Sequence, residues 1–210
     1  LLGSGEGDGQ WLGAMAAMMA VEQVYRHPLP ATMDLSLDQQ LRALVRDVPD
    51  FPKPGILFRD LSPLMRDPRA WRLVVEGLAA KVESHHPELI VGIEARGFLV
   101  GNALAFAMDR GFVPVRKPGK LPGPVEAIDY SLEYGSDRLE IQKDALAGAP
   151  RVLIIDDLLA TGGTVVAASQ LVQQLNANVV GYSFLISLDF LNGKQRLNQF
   201  ADHTFSLVTY

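Results

Sequence analysis

The chain has 210 residues and no cysteine, and its formal net charge at pH 7 is -5. Without cysteine it can form neither disulfides nor thiolate metal sites. The mildly acidic balance argues against a general nucleic-acid-binding surface, because such surfaces are basic. A chain of this length fits one α/β domain with a sizeable hydrophobic core.

Residues 1–33 differ in composition from the rest and are interpreted as a leader of uncertain origin. Gly3–Gly9 is glycine-rich and polar, so we expect it to be flexible. Trp11–Val24 is apolar and long enough for a helix, but it is shorter than a membrane span. The basic start and cleavage site of a signal peptide are not evident, although a targeting role stays an alternative. We expect residues 34–210 to form a single domain with no membrane association.

From residue 34 onward, helical and strand patterns alternate, which predicts a mostly parallel sheet flanked by helices. Ser36 and Gln39 form a potential capping box, and an apolar stripe over Leu37–Val48 predicts the first helix. An N-cap aspartate and a first-turn proline predict a second helix over about residues 67–82. The further predicted elements are a strand at Glu88–Ile93, a helix at Gly97–Arg110, a strand at Phe112–Arg116, a strand at Val152–Ile155, a helix at Val165–Leu175, a strand at Val179–Leu188, a short polar helical piece and a strand at Thr204–Val208.

The most informative stretch is Val152–Thr164, where an apolar run leads into two carboxylates, a small-residue loop and a helix. In α/β sheets, ligands bind just beyond the carboxyl ends of the strands. Gly162 and Gly163 let the backbone approach an anion closely, and the helix start offers unpaired N–H groups. Asp156 and Asp157 would repel a phosphate and are better placed to accept hydrogen bonds from ribose hydroxyls. The stretch therefore predicts a site for a phosphorylated sugar.

The paired carboxylates fit two familiar nucleotide-binding motifs less well. A Walker-B-like magnesium site would require a Gly-x-x-x-x-Gly-Lys-Ser/Thr loop, and the sequence contains none. The dinucleotide-binding fingerprint is also missing, because the glycines between Gly3 and Gly9 follow no strand. A purely structural turn remains an alternative, but it would not need both acids and both glycines.

The segment Asp156–Thr164 resembles the phosphoribosyl pyrophosphate (PRPP) binding motif of type I phosphoribosyltransferases. The resemblance extends over about Leu35–Tyr210 and becomes specific for the adenine phosphoribosyltransferases at four more segments, in that family's order and near its spacing. It implies the type I phosphoribosyltransferase fold, with a small N-terminal hood at about residues 34–62 and a flexible lid loop at about residues 117–135. The four segments are Asp50–Asp60, Glu94–Phe98, Val115–Pro122 and Tyr130–Gly135.

The resemblance implies conversion of adenine and PRPP to AMP and pyrophosphate, a salvage reaction, with Mg²⁺ as cofactor. It also implies a homodimer in the cytoplasm. No protein side chain stands out as a direct metal ligand, so we expect Mg²⁺ to be held mainly by PRPP and water. The expected partners are thus small molecules and a second copy of the chain, with no nucleic acid and no membrane.

Several cationic residues are candidates for binding pyrophosphate. Arg96 offers a planar fork of donors that suits pyrophosphate, and the alternative is an exposed arginine at a helix start, where the dipole disfavours its charge. A second cluster, around Arg116, is explained equally well as a solvated face or as an anion site. The resemblance favours the anion site, and it implies a strained non-proline peptide between Glu94 and Ala95, with cis geometry as one option. The implied pyrophosphate-binding residues are Glu94, Ala95, Arg96, Arg116, Lys117 and Lys120.

The residues expected around the base and the ribose carry alternatives too. Phe58 either belongs to the core or stacks on a planar base, and Glu133 either faces solvent or takes part in proton transfer. The resemblance implies that Phe58 stacks on adenine while the backbone at Leu57 and Arg59 reads its polar edge. It implies further that Glu133 exchanges a proton with the base and that Tyr134, in the lid, shapes the closed site. The implied catalytic residues are Glu133, Asp156 and Asp157, and the implied 5′-phosphate loop is Ala160, Thr161, Gly162, Gly163 and Thr164.

Three other functions stay open at the level of sequence. A phosphoribosyltransferase for hypoxanthine, guanine or xanthine would differ in its base contacts at Leu57–Arg59. A PRPP-sensing regulator would need a basic helix-turn-helix module, and the leader, with Glu6 and Asp8 and few basic residues, offers none. An inactive homologue is the third alternative, although the acidic and basic residues of the motifs are all present.

Overall fold

The computed structural model of the protein describes residues 35–131 and 136–210. The predicted leader lies outside the described residues, as do Glu133 and Tyr134. Ser36–Tyr210 forms one compact unit. Its α-helices are α1 (Leu37–Arg42), α2 (Ser62–Arg66), α3 (Pro68–Val82), α4 (Arg96–Ala107), α5 (Gly163–Gln174) and α6 (Gly193–Leu197). Its strands are β1 (Arg46–Val48), β2 (Phe58–Asp60), β3 (Leu89–Ile93), β4 (Gly111–Val115), β5 (Val125–Ser131), β6 (Ser136–Gln142), β7 (Arg151–Leu159), β8 (Asn178–Ser187) and β9 (Thr204–Thr209), and short 3-10 turns occur at Glu83–His85 and Asp189–Leu191.

A five-stranded sheet in the order β4-β3-β7-β8-β9 forms the centre of the domain, and all its neighbouring strands run parallel. The predicted α/β class with a parallel sheet is therefore confirmed. Strand order reverses between β3 and β7, since β4 continues on one side and β8 and β9 on the other. In such sheets this reversal opens a crevice at the carboxyl ends of the two strands.

Each face of the sheet is covered by its own apolar core. Along β7, Val152 and Ile154 belong to the core that includes Leu171 of α5. The alternate residues Leu153 and Ile155 belong to the opposite core, with α3 and α4 residues. Because strand side chains alternate between faces, a strand covered on both sides reads as a continuous apolar run, which explains the run that begins at Val152.

The first predicted helix is wrong in its extent. α1 ends at Arg42, and Arg46–Val48 is strand β1 rather than a further helical turn. β1 pairs antiparallel with β2, and an ion pair joins Arg46 to Asp60 across this pair. Apolar residues of the predicted stripe still face the core, because Leu41 is buried and Leu44 packs against the same core. The capping box of Ser36 and Gln39 is present as predicted.

Two other parts of the chain differ from the elements that the sequence predicts. β7 does not end at Ile155 but continues through the acid pair to Leu159, because β8 is long enough to keep pairing with it. Within the predicted lid segment 117–135, strand β5 forms and pairs antiparallel with β6, a strand that the sequence did not predict, in a separate two-stranded sheet. The other predicted helices and strands are confirmed, with ends shifted by a few residues.

The N-cap of α3 provides a stability test. Asp67 Oδ1 accepts hydrogen bonds from the amides of Arg69 at 2.8 Å and Ala70 at 3.0 Å. Asp67→Ala removes this acceptor, so we expect the free energy of unfolding to fall by about 1 kcal/mol, measured by urea denaturation. Asp67→Asn keeps a capping oxygen and should unfold near the wild-type urea concentration. An alanine variant as stable as the asparagine variant would contradict the assignment.

Candidate active site

The crevice between β3 and β7 gathers the residues that the sequence singled out for ribose and pyrophosphate. Glu94, Ala95 and Arg96 follow the end of β3, and the acid pair lies in β7 beyond the last residues that pair with β3. The peptide between Glu94 and Ala95 is cis, one of the geometries that the resemblance implies. At Gly97 an added Cβ would lie 2.8 Å from Asp156 Oδ1, so only glycine lets the start of α4 pack against this carboxyl.

The acid pair combines two carboxylates with different environments. Burial raises the pKa of Asp156 well above its usual value, and the negative charge of Asp157 raises it further. The amide of Asp157 donates a hydrogen bond of 2.8 Å to Asp156 Oδ1. The residue Asp157 is 7% exposed, and its Oδ2 atom is buried without a hydrogen bond. A buried carboxylate oxygen without a hydrogen bond is costly unless a charged group compensates it, and Arg96 supplies that charge.

Arg96 lies between the acid pair and the predicted base site. Its Nε is 2.9 Å from Asp157 Oδ2, an ion pair that lacks hydrogen-bond geometry. Its guanidinium carbon is 5.2 Å from the centre of the Phe58 ring, within range of a cation–π contact. Arg96 therefore lies beside the acid pair and the aromatic ring, and its ion-pair partner differs from the Glu94 carboxylate that Arg116 and Lys120 share.

A small cavity of about 90 Å³ lies where β7 leads into α5. Gly162, with φ of +80°, is the N-cap of α5, and no side chain caps the first turn. The first residues of this helix therefore line the cavity, and no side chain accepts a hydrogen bond from their amides. Free amides at a helix start suit a phosphate. The cavity is lined by Asp156, Leu158, Ala160, Thr161, Gly162, Gly163, Thr164 and Val165.

The predicted phosphate loop, Ala160–Thr164, rests on α6, a contact that the sequence did not reveal. An added Cβ at Gly193 would lie 2.2 Å from the carbonyl oxygen of Ala160, so the two backbones touch directly. Arg196 Nη1 donates a 3.1 Å hydrogen bond to the carbonyl of Thr161. The glycine and the arginine thus support the loop from behind, and neither has a motif that announces this role.

Glu94 holds a cluster of cations at the end of β3. Its carboxylate accepts hydrogen bonds from Arg116 Nη2 at 3.1 Å, Lys120 Nζ at 2.6 Å and the Lys117 amide at 2.9 Å. Burial works to raise the pKa of Glu94, but these hydrogen bonds outweigh it and lower the pKa to about 2. A permanently charged Glu94 thus keeps Arg116 and Lys120 side by side.

The side chain of Lys117 is not part of this cluster. Its Nζ forms an ion pair with Asp137 at the start of β6 and lies 3.3 Å from the Tyr130 hydroxyl. That hydroxyl is also 3.5 Å from Thr164 Oγ1 in the phosphate loop. The structure thus brings Lys117 to the phosphate loop through the β5–β6 sheet, whereas the sequence predicted only a shared anion site with its neighbours.

Phe58 lies in β2 and is half-buried rather than part of the core. Its ring meets that of Phe51 edge to face at 5.1 Å. The neighbouring Arg59 forms an ion pair with Asp47 in β1, and its guanidinium carbon lies 3.8 Å from the ring centre of Tyr210. The two-stranded sheet of β1 and β2 therefore presents an aromatic face while Arg59 ties it to the end of β9.

Some predicted features receive no counterpart in the described structure. Glu133 and Tyr134 fall outside it. Within residues 35–131 and 136–210, no group of three or more His, Asp or Glu side chains could hold a metal ion. No helix in the part of the chain that the structure describes is long and apolar enough to cross a membrane.

Sequence reasoning missed four residues that support the site: Tyr130, Asp137, Gly193 and Arg196. Their roles depend on contacts between segments far apart in the chain, which no local pattern reveals. Only for Tyr130 did the sequence indicate a role in the site, because it lies in the segment Tyr130–Gly135 that resembles the family.

Comparison with known proteins identifies the family. The phosphoribosyl transferase domain family matches residues 67–198 of the chain. Over 162 residues the chain is 65% identical to the adenine phosphoribosyltransferase of a Synechococcus strain. That match covers 77% of this chain and 92% of the relative.

Solved structures agree with this assignment. The adenine phosphoribosyltransferase of Thermoanaerobacter pseudethanolicus is 45% identical with a TM-score of 0.80, and the match covers 83% of this chain and 100% of that one. The enzyme of Saccharomyces cerevisiae, crystallised with D-2,5-dideoxy-2,5-imino-altritol 1,6-bisphosphate and adenine, is 43% identical with a TM-score of 0.75. That match covers 81% of this chain and 98% of the yeast protein. The chain belongs to the adenine phosphoribosyltransferase family.

Proposed function

We propose that this protein transfers the phosphoribosyl group of PRPP to adenine and releases AMP and pyrophosphate. One observation carries the proposal. The acid pair of β7 leads into the start of α5, which has no side-chain cap, at the place where the strand order of the sheet reverses. Relatives at up to 65% identity are adenine phosphoribosyltransferases, and the yeast relative was crystallised with adenine. The reaction would serve the salvage of adenine.

The ribose and its 5′-phosphate would bind along β7 and the start of α5. Asp156 and Asp157 would accept hydrogen bonds from the ribose hydroxyls and stabilise positive charge that develops on the ring in an oxocarbenium-like transition state. The Ala160–Thr164 loop would hold the 5′-phosphate with its backbone amides. The cavity of about 90 Å³ beside these residues supports this arrangement.

The pyrophosphate would leave toward the cations that follow β3 and β4. As adenine N9 bonds to the anomeric carbon with inversion, the bond to the pyrophosphate oxygen breaks and the electron pair leaves with that oxygen. Arg116 and Lys120, held together by Glu94, would neutralise this charge, with Arg96 and Lys117 contributing. The amides around Ala95 would complete the pyrophosphate contacts.

Adenine would bind against the sheet of β1 and β2, which we propose as the hood. The half-buried ring of Phe58 offers a stacking face, and the backbone of Leu57 and Arg59 would read the polar edge of the base. Glu133 would exchange the proton on the base and Tyr134 would shape the closed site, both as parts of a lid at about residues 117–135. Closure of that lid would exclude water, a competing nucleophile.

We propose Mg²⁺ as the cofactor, bound mainly through oxygens of PRPP and water. The acid pair suits an ion held in this way, because carboxylates can accept hydrogen bonds from the waters that Mg²⁺ keeps and so need not bind the ion directly. When bound, the ion would neutralise charge on the pyrophosphate. We assign it no direct protein ligand.

We also propose that the protein is a cytoplasmic homodimer. Leu99 and Phe106 lie seven positions apart on one face of α4 and are 52% and 89% exposed. Large apolar side chains grouped on an exposed face are typical of interaction surfaces, which supports a second copy of the chain as the partner.

The substrate panel is the direct test of the function. Purified protein is incubated with PRPP, Mg²⁺ and adenine, hypoxanthine, guanine or xanthine in turn, and nucleotide formation is followed. We expect AMP from adenine alone and no product after chelation of Mg²⁺. Product from an oxopurine would overturn the assignment of the base site at Leu57–Arg59, while PRPP binding without any product would favour a regulator.

The acid pair can be tested by isosteric substitution. In Asp156→Asn with Asp157→Asn, we expect kcat to fall by roughly 10²-fold or more, the scale seen when a preorganised electrostatic group is removed. Asp144→Asn, at an exposed turn, is the control and should retain wild-type turnover. Near-wild-type kcat in the double variant would exclude the ribose role.

The dimer can be tested through α4. Leu99→Ser with Phe106→Ser should shift the protein from dimer to monomer in analytical ultracentrifugation, because the apolar face is lost. Phe190→Ser is the matched control, since Phe190 is 68% exposed outside α4. A wild-type monomer, or a double variant that remains dimeric, would contradict the proposal.

A further inference from the structure

We propose that Asp137 is a counter-ion of Lys117 that competes with pyrophosphate for this lysine and so sets the affinity of the site for PRPP and pyrophosphate. The inference rests on the proposed function, because it takes Lys117 as a pyrophosphate contact. Asp137 would be a positioning residue that acts through Lys117 and does not touch substrate.

The geometry joins three side chains beside the phosphate loop. Lys117 Nζ forms an ion pair with the Asp137 carboxylate and lies 3.3 Å from the Tyr130 hydroxyl. The Tyr130 hydroxyl is 3.3 Å from Asp137 Oδ2 and 3.5 Å from Thr164 Oγ1. The lysine charge is thus held at the rim of the site that would receive PRPP.

The backbone of Lys117 contacts Glu94, whereas its side chain contacts Asp137. Its amide donates a 2.9 Å hydrogen bond to Glu94, the residue that holds Arg116 and Lys120. Its ammonium group is turned instead toward Asp137 on β6. Because a lysine side chain is a long flexible stem with a compact charge, rotation about it can exchange Asp137 for a nearby anion.

The ion pair is suited to such an exchange. Partial burial would lower the pKa of Lys117, but the hydrogen bonds to Asp137 and Tyr130 raise it, so the ammonium form is retained. The side chains of Lys117 and Asp137 are 34% and 29% exposed. Ion pairs with such exposure contribute little net stability, and a multiply charged pyrophosphate is a stronger partner for the lysine than one carboxylate.

A purely structural role for Asp137 is the alternative. The β5–β6 sheet already has a cross-strand ion pair between Asp129 and Arg138, at a position where Asp129 is mostly exposed. Asp129→Asn therefore removes one negative charge from the same sheet without contacting Lys117. The two roles also predict opposite signs, because loss of a structural contact weakens substrate binding whereas loss of a competitor strengthens it.

The experiment compares Asp137→Asn with wild type, with Asp129→Asn and with a Lys117→Met background. We expect the KM for PRPP and the inhibition constant for pyrophosphate to fall about three- to tenfold in Asp137→Asn, as for one partly screened charge, with the KM for adenine unchanged. Asp129→Asn should behave as wild type. In Lys117→Met, the added Asp137→Asn change should have no effect, since the effect passes through the lysine.

Calorimetric titration with inorganic pyrophosphate separates this inference from the enzymatic function. Tighter pyrophosphate binding by Asp137→Asn supports the counter-ion role even if wild type forms no AMP. Equal or weaker binding overturns it even if wild type forms AMP from adenine. An equal gain in Asp129→Asn, or a gain that persists in Lys117→Met, would also overturn it, because the effect would then be a general change of charge.

Discussion

The close contact between the start of α4 and β7 is the constraint on which the site depends. Gly97 packs so tightly there that an added Cβ would lie 2.8 Å from Asp156 Oδ1 and 3.0 Å from the carbonyl of Ile155. The contact holds the start of α4 against the carboxyl end of β7, where the crevice between β3 and β7 opens. Because the predicted pyrophosphate-binding residues Glu94–Arg96 follow β3 and the predicted phosphate loop follows β7, the same contact helps to fix the spacing between these two predicted parts of the site.

Within this crevice, every cation predicted to bind pyrophosphate is already paired with a carboxylate. Arg96 faces Asp157, while Arg116 and Lys120 share Glu94. Paired in this way, the cations avoid mutual repulsion while no substrate is bound. If these cations bind pyrophosphate as proposed, binding would exchange one set of ion pairs for another, and the affinity would depend on the acids as well as on the bases.

The placement of the acid pair at the end of a strand that leads into a helix without a side-chain cap could be predicted from sequence, because these features lie in one continuous stretch, Val152–Thr164. The first helix could not be bounded, because the apolar spacing up to Val48 also suits a turn and strand that pair with β2. The support of Ala160 by Gly193 was equally invisible, since it joins backbones far apart in the chain. Local patterns identify candidate substrate-binding residues, whereas the contacts that support them depend on the tertiary fold.

The parts that would cover the substrate lie outside the central sheet. β1 with β2 and β5 with β6 are separate two-stranded sheets, and such pairs are marginally stable by themselves. They are joined to the domain unequally. The β1–β2 pair meets the end of β9 through Arg59 and Tyr210, whereas the β5–β6 pair is anchored in the main core by Leu139 and Ile141 of β6, which are both fully buried. Regions with few buried contacts open at low free-energy cost. We therefore expect the parallel sheet and the anchored β5–β6 pair to stay fixed, and the less buried β1–β2 pair to be the part that adjusts when a base binds.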